Sequence, residues 1–197
     1  MLQAVIVAHP NPESFTHSVA RAYRDAAEAR GGRVVFRDLY AMSFDPCLNR
    51  SELPGADGHG VSPDVATERE LLAEADLFVF VYPFWMNAPP AILKGYIDRV
   101  LGFGFGFAPD GHGSGPRLAG KRLLTFSSSG APTEWVVDTG ALNAVRALFD
   151  AHLAKVCGLS VIDHIHFGAI VPNITAAAVE RHLDIVRSVS DAINRDN

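Results

Sequence analysis

Short apolar runs alternate with amphipathic stretches along this chain, and the alternation predicts its elements in order. Leu2 to Ala8 is a β-branched and aliphatic run interrupted only by Gln3, short enough for a strand buried on both faces, and His9-Pro10 ends it. From Ser14 to Arg30, Val19, Ala22, Tyr23, Ala26 and Ala27 fall on one stripe at helical spacing, with Gly31-Gly32 as the stop. A second strand runs from Val34 to Leu39. Between 41 and 66 the chain turns polar, and Pro46, Pro54, Gly55, Gly58, Gly60 and Pro63 predict a long irregular loop. Thr67 and Glu70 have capping-box spacing and open a short helix to Ala75. Asp76 to Tyr82 is the most apolar run and predicts the strand at the sheet centre.

Pro89-Pro90 starts a helix whose buried face includes Ala91, Ile92, Ile97, Val100 and Leu101. A glycine-rich loop follows from Gly102 to Gly115. Arg122 to Phe126 predicts a fourth strand, Leu142 to Val156 a helix, Val161 to Ile170 a fifth strand, and Thr175 caps a last helix to about Ile193. This is the pattern of an α/β protein, with a five-stranded parallel sheet and helices on both faces, in a single domain over 1–197. Ligands of such sheets bind outside the carboxyl ends of the strands. Function is therefore expected in loops 9–18, 83–90 and 127–135.

Composition narrows the classes. The 197 residues carry 17 Lys and Arg against 22 Asp and Glu, a formal charge of -5, which argues against a nucleic-acid binder held by phosphate neutralisation. Cys47 and Cys157 are the only two cysteines, too few and too far apart for a zinc ribbon or a disulfide framework, so reduced thiols and a cytoplasmic location are expected. No apolar stretch approaches the roughly 20 residues of a membrane span. Met1 leads straight into strand pattern, which predicts a soluble, unprocessed chain with no membrane insertion.

The first loop, His9-Pro10-Asn11-Pro12-Glu13-Ser14-Phe15-Thr16, precedes a helix N-terminus, where free backbone N–H groups and the helix dipole favour an anion such as phosphate. Hydroxyls of Ser14, Thr16 and Ser18 add donors, and His9 another; Ser14 serves equally as a simple cap. Neither GxGxxG nor GxxxxGK[ST] occurs there, which disfavours a Rossmann dinucleotide site and a P-loop. The second loop, Tyr82-Pro83-Phe84-Trp85-Met86-Asn87-Ala88-Pro89-Pro90, offers aromatic and sulfur groups suited to a flat ring system, or to core packing. In the third, Ser127, Ser128, Ser129 and Gly130 are small enough to let backbone donors approach a ligand, or to form a plain turn.

Taken together, HPNPESF after the first strand, YPFWMNAPPAILKGYIDRVLGFGFGF in the middle, GPRLAGKRLL and the Ser/Gly-rich loop resemble the NAD(P)H:quinone oxidoreductase family, the DT-diaphorase-like flavodoxin-fold flavoproteins. The resemblance implies strand order 2-1-3-4-5, a homodimer, a bound flavin, and ping-pong hydride transfer from NAD(P)H to a quinone or similar aromatic acceptor. Carried over by position, His9, Ser14, Phe15, Thr16 and Ser18 hold the phosphate and ribityl region. Pro83, Phe84, Trp85 and Met86 border the ring, and the amides of Ser129 and Gly130 face its N1/O2 edge. FAD is implied by Arg181, which matches an arginine near the adenine diphosphate end in FAD-using relatives; FMN is the alternative.

The chain departs from the pattern where relatives carry a tyrosine and a histidine proposed to relay protons: the matching positions are Trp135 and Ala141. Trp135 can stack on a nicotinamide or quinone but has no phenolic proton to give. The loss keeps open a regulatory flavoprotein subunit of a potassium-efflux transporter, a membrane partner, and a flavodoxin-like electron carrier. Among the eight histidines, His59 and His112 lie in the glycine-rich loops and His164 and His166 alternate on the fifth strand. They show no metal spacing and are expected to be structural or solvated. Lys94, Asp98 and Arg99 are expected on a solvated or dimer-facing helix surface.

Overall fold

A computed structural model describes residues 1–57, 59–109 and 114–195. Five parallel strands form one sheet: β1 (Leu2–Val7), β2 (Arg33–Asp38), β3 (Leu77–Pro83), β6 (Arg122–Ser128) and β7 (Ser160–Phe167). Between β3 and β6 two short strands, β4 (Phe107–Pro109) and β5 (Ser114–Pro116), pair antiparallel within the glycine-rich stretch expected to be a loop. The sheet order is β2-β1-β3-β6-β7; its numbering differs from the expected 2-1-3-4-5 because those two strands intervene in the chain.

β1 and β3 are buried at every position, so their alternating side chains feed two separate cores. Ala4, Ile6, Phe78, Phe80 and Tyr82 face one core, with helices α2 (Pro63–Leu72) and α3 (Ala91–Arg99). The chain from Ala141 to Cys157 packs in this core too. Val5, Val7, Val79 and Val81 face the other, beneath α1 (Phe15–Ala29) and the last helix, labelled α7 (Ala176–Arg195). Each such side chain contributes about 1.5–3 kcal/mol on burial. Among the described residues no helix is long and apolar enough to cross a membrane.

Three boundaries differ from expectation. The helix expected from Thr67 starts at Pro63, with proline in its first turn, and Thr67 Oγ1 donates to Pro63 O inside it instead of capping. Ser127 and Ser128 belong to β6 and not to a loop, extended by register with Tyr82 and Pro83. The helix expected over 142–156 is interrupted: α5 (Ala141–Val145) passes into a π-helical stretch (Arg146–Ala151) before α6 (His152–Cys157), and a short α4 (Thr133–Asp138) precedes them.

The polar 41–66 stretch is pinned rather than loose. Arg99, expected on a solvated face, is 3% exposed. It donates to both Glu52 oxygens, to Asp64 and to Asp45 O, so a single guanidinium ties the loop and α2 to α3. Lys94 and Asp98 are exposed as expected and pair with each other. A methyl group at Gly95 would lie 2.2 Å from Pro46 O, so only glycine lets the loop lie this close to α3. His59 stands in the pinned loop, 6.0 Å from the Phe103 ring; His112 lies outside the described residues.

Burial by itself would raise the Glu52 carboxyl, but hydrogen bonds from Arg99, the Asn49 amide and Ser62 bring it down to about 2 from 4.5. Replacing Arg99 with Met should cost about 3–5 kcal/mol in urea unfolding at neutral pH, because it strands Glu52 without its cation. The carboxyl's stabilisation is complete above pH 4.5 and lost as pH falls toward 2. The wild-type advantage over Arg99→Met should shrink over that window.

Candidate active site at the carboxyl rim

All three candidate loops leave the same edge of the sheet, and they touch. The His9 ring lies 5.6 Å from Trp85, joining the first loop to the second. Phe84 N donates to Ser128 O at 2.6 Å, joining the second to the third. His9 Nδ1 takes the Asn11 amide at 3.0 Å, and Asn11 Oδ1 takes that of Glu13, so the first loop is braced from within. Burial, partly countered by the Asn11 backbone bond and reinforced by His17, lowers the His9 pKa and keeps the ring a neutral hydrogen-bonding group.

Ser14 caps α1, its Oγ accepting from His17 N. Its hydroxyl also meets His17 Nδ1 at 3.1 Å, while His17 Nε2 reaches Asp38 at 2.9 Å. This buried pair fastens the helix start to the end of β2. Ser18 donates back to Ser14 O, so its hydroxyl is turned inward. The amides of Phe15 and Thr16 have no acceptor among the described residues, which leaves two aligned donors at the positive end of a 15-residue helix. A shallow depression beside them is bordered by Phe15, Thr16, Tyr82, Ser127, Ser128 and Phe167.

In the second loop Trp85 and Ala88 exchange backbone bonds across Met86 and Asn87, both at positive φ. Such a turn suits Asn and costs about 1–2 kcal/mol at Met. Its effect is to hold Met86 97% exposed and Trp85 partly exposed at the rim. Phe84, expected to border the ring, does not reach the surface of the rim. It is buried, 4.7 Å from the His166 ring and near-parallel to Tyr82, so it is a wall behind the rim. Pro83 is the last residue of β3 and equally buried.

The Ser129 amide, expected to face a ligand, is already bonded to Phe167 O, because the loop's first step still follows the ladder of β7. Of these two residues, Gly130 keeps an amide with no acceptor among the described residues. Ser129 and Ser127 instead present hydroxyls to a column of side chains that sequence reasoning passed over. Ser127 Oγ lies 2.6 Å from His164 Nε2 and 2.9 Å from His166 Nδ1. His166 Nε2 lies 2.9 Å from Ser129 Oγ, and His164 Nδ1 lies 2.5 Å from Asp150. Alternation along β7 was the available signal: His164 and His166 point the same way, at a strand end, beside a serine run. His182 was also missed; its ring packs 5.0 Å from Phe167 and 5.8 Å from Phe15.

A cavity of about 550 Å³ lies away from this rim, among α2, α3, α6 and the pinned loop, where Val65, Ile97, Phe103 and Val156 line it. We place the chemistry at the rim, where the donors and hydroxyls converge.

A family profile described as flavodoxin-like fold matches residues 1–189. An uncharacterized NAD(P)H oxidoreductase of Haemophilus influenzae is 33% identical over 171 residues, covering 86% of this chain and 85% of that protein. The chain belongs to the NAD(P)H:quinone oxidoreductase family of flavodoxin-fold proteins. NAD(P)H dehydrogenase (quinone) 1 of Rattus norvegicus is 28% identical over 179 residues, 81% of this chain but 65% of the rat protein's length. The solved NAD(P)H:quinone oxidoreductase from Methanothermobacter marburgensis superposes with a TM-score of 0.88 at 26% identity, covering 98% of both chains.

For a flavoprotein family the rim fits: two unbonded amides and the Thr16 hydroxyl at a helix N-terminus are a phosphate cradle, and Trp85 and Met86 stand beside it with surface to spare. Trp135 is half exposed on α4, whereas Ala141, at the other relay position, is buried. Arg181 is exposed on α7 next to His182. Burial, then the neighbouring His164 and Arg146, lower the His166 pKa from 6.5 to about 4. An NMR titration of the ring should therefore give a midpoint near 4. Stability should fall as pH drops from 6.5 toward 4, where only the unfolded chain takes up the proton. A midpoint near 6.5 would contradict the packing of Phe84 on this ring.

Proposed function

We propose that this chain is a flavin-dependent NAD(P)H dehydrogenase that reduces quinones or related electron-poor aromatics. The observation that carries the proposal is the convergence, at one edge of the sheet, of a helix N-terminus with two unbonded amides and an aromatic, partly exposed second loop. Relatives named as NAD(P)H oxidoreductases and quinone dehydrogenases support an enzyme over a transporter subunit or an electron carrier.

The bound flavin supplies the hydride-accepting and hydride-donating chemistry, and the protein orients and polarises it. Thr16 and the amides of Phe15 and Thr16 take the phosphate, with Ser14, Ser18 and His9 keeping their loop in shape. Trp85 and Met86 flank the ring over the wall made by Phe84 and Pro83. The Gly130 amide would donate to the polar edge of a bound flavin ring and so would favour extra negative charge there. Trp135 offers a face for a planar donor or acceptor.

FAD is the cofactor we favour, because Arg181 is exposed and has no ion pair among the described residues, so its charge is available to a diphosphate. FMN is the alternative. A homodimer in the cytoplasm completes the reading; the two free thiols, Cys47 exposed and Cys157 buried, agree with a reducing compartment.

Purified protein should be yellow, bleach with NADH or NADPH, and recover its colour with a quinone; mass spectrometry of the extracted cofactor separates FAD from FMN. Thr16→Leu should lower flavin content at least tenfold, since it removes a donor and fills the cradle, at a cost of about 1–3 kcal/mol in unfolding from overpacking a buried position. Full flavin retention in that variant would move the phosphate elsewhere, and failure to bleach would remove the dehydrogenase reading.

A further inference from the structure

The column beneath the rim is more than packing. Its members come from three elements: Asp150 from the π-helical stretch, Ser127 from β6 with Ser129 just beyond it, and His164 and His166 from β7. Asp150 and His164 are each about 2% exposed, while Ser129 is half-buried and lies where the Proposed function places redox chemistry. The column thus runs from a closed end to an open one.

Its hydrogen bonds have a direction. Ser129 Oγ donates to Ala131 O at 2.9 Å, so against His166 Nε2 it must accept. A neutral His166 that donates from Nε2 must accept at Nδ1, and there Ser127 donates. Having given its only proton, Ser127 accepts from His164 Nε2. On its other side His164 Nδ1 stands 2.5 Å from Asp150 Oδ2, a contact that also needs a proton. The Asp150–His164 pair therefore holds one proton more than a carboxylate and a neutral imidazole.

We propose that Asp150, His164, Ser127, His166 and Ser129 form a proton relay that stores one proton under the sheet and delivers it at Ser129. It stands in for the tyrosine and histidine replaced by Trp135 and Ala141. Discharge moves Ser129 Oγ–H to an anionic oxygen or nitrogen of the reacting partners at the rim. His166 Nε2–H then passes to Ser129, Ser127 Oγ–H to His166 Nδ1, and His164 Nε2–H to Ser127. Four bonds to hydrogen break and four form, no electrons move, and His164 ends neutral, still donating to Asp150. Each hydride brings one negative charge to the site, and the delivered proton cancels it. Once the product has left with that proton, a proton from bulk water enters at half-exposed Ser129 and the reverse sequence of transfers reloads the pair.

Two features of the fold serve this task. Wide winding over Arg146–Ala151 turns acidic Asp150 into the interior, while Leu148, two residues earlier, is 78% exposed; regular winding of this sequence would favour the reverse. Thr125 Oγ1 donates to the other Asp150 oxygen at 2.9 Å, fixing the carboxylate. The groups facing the pair are Arg146, donating to His164 O, Tyr82 from β3, whose buried hydroxyl has no partner among the described residues, and Asp163, bonded to the His164 amide. His166 remains neutral above about pH 4, which preserves one donor and one acceptor nitrogen for transfer.

The destination of the proton rests on the function proposed above; the relay itself is tested without it. In the protein as purified, exchange of the His164 ring protons with water is read from saturation transfer to their downfield NMR signals. Ser127→Ala should slow that exchange at least tenfold, and Ser127→Thr, which keeps a hydroxyl, should restore it. Ser129→Ala, at the half-exposed end, should act in the same direction if the first variant does not fold. A purely structural role predicts the opposite sign, since loosened packing speeds exchange, so unchanged or faster exchange overturns the relay. With quinone as acceptor, Ser127→Ala should lower kcat about tenfold or more at an unchanged KM, and wild-type turnover likewise overturns it. If NAD(P)H fails to bleach the protein while exchange is slowed, the function falls and the relay stands.

Discussion

Two strands buried on both faces, β1 and β3, constrain everything else in this molecule. Neither has a solvent side, so helices must cover each face. Because the strands are parallel, every crossover returns the chain to the same end. The consequence is spatial sorting: apolar contacts accumulate in two cores, and loops of unrelated sequence meet at the carboxyl edge. His9 meets Trp85, and Phe84 bonds to Ser128, because the register of β1, β3 and β6 delivers those residues to one level.

Against that dry background the polar column is costly. Burying a carboxylate and two imidazoles costs free energy unless each is bonded, and replacing such groups with packed hydrophobic residues is commonly neutral or stabilising. Every polar side-chain atom of the column has a partner, and the π-helical turn is itself an irregularity kept in the midst of a core helix. Tyr82, alone among the described residues in leaving a fully buried side-chain polar atom unbonded, belongs to the same neighbourhood. Stability alone is a poor account of this concentration of buried polarity, and the relay proposed above gives it a task.

On the opposite side of the same core, the Arg99 cluster solves a different problem. The 41–66 stretch sends only a few apolar side chains, Phe44 and Val65 among them, into the core, and a buried guanidinium with three acidic or carbonyl partners adds a polar anchor, while Gly95 removes the obstacle to close approach. The pinned loop also forms one wall of a large apolar cavity, through Leu48, Leu53 and Val61.

Much of this was legible in the chain itself. Strongly apolar runs over 2–8 and 77–82 required doubly buried strands, helical stripes between them required crossovers, and together these located the three loops and the Ser14 cap. Those features depend on local periodicity and on the backbone's need for hydrogen bonds, which neighbours in sequence already express. Arg99 read as a surface cation, Ser127 as a loop residue, and His164 and His166 as incidental, because their roles are set by partners 14 to 54 residues away. The direction of Asp150 is hidden further, since a π-helical turn breaks the very period by which a helix face is read. Pairwise contacts between distant elements, and the protonation states those contacts impose, exist only once the chain has folded.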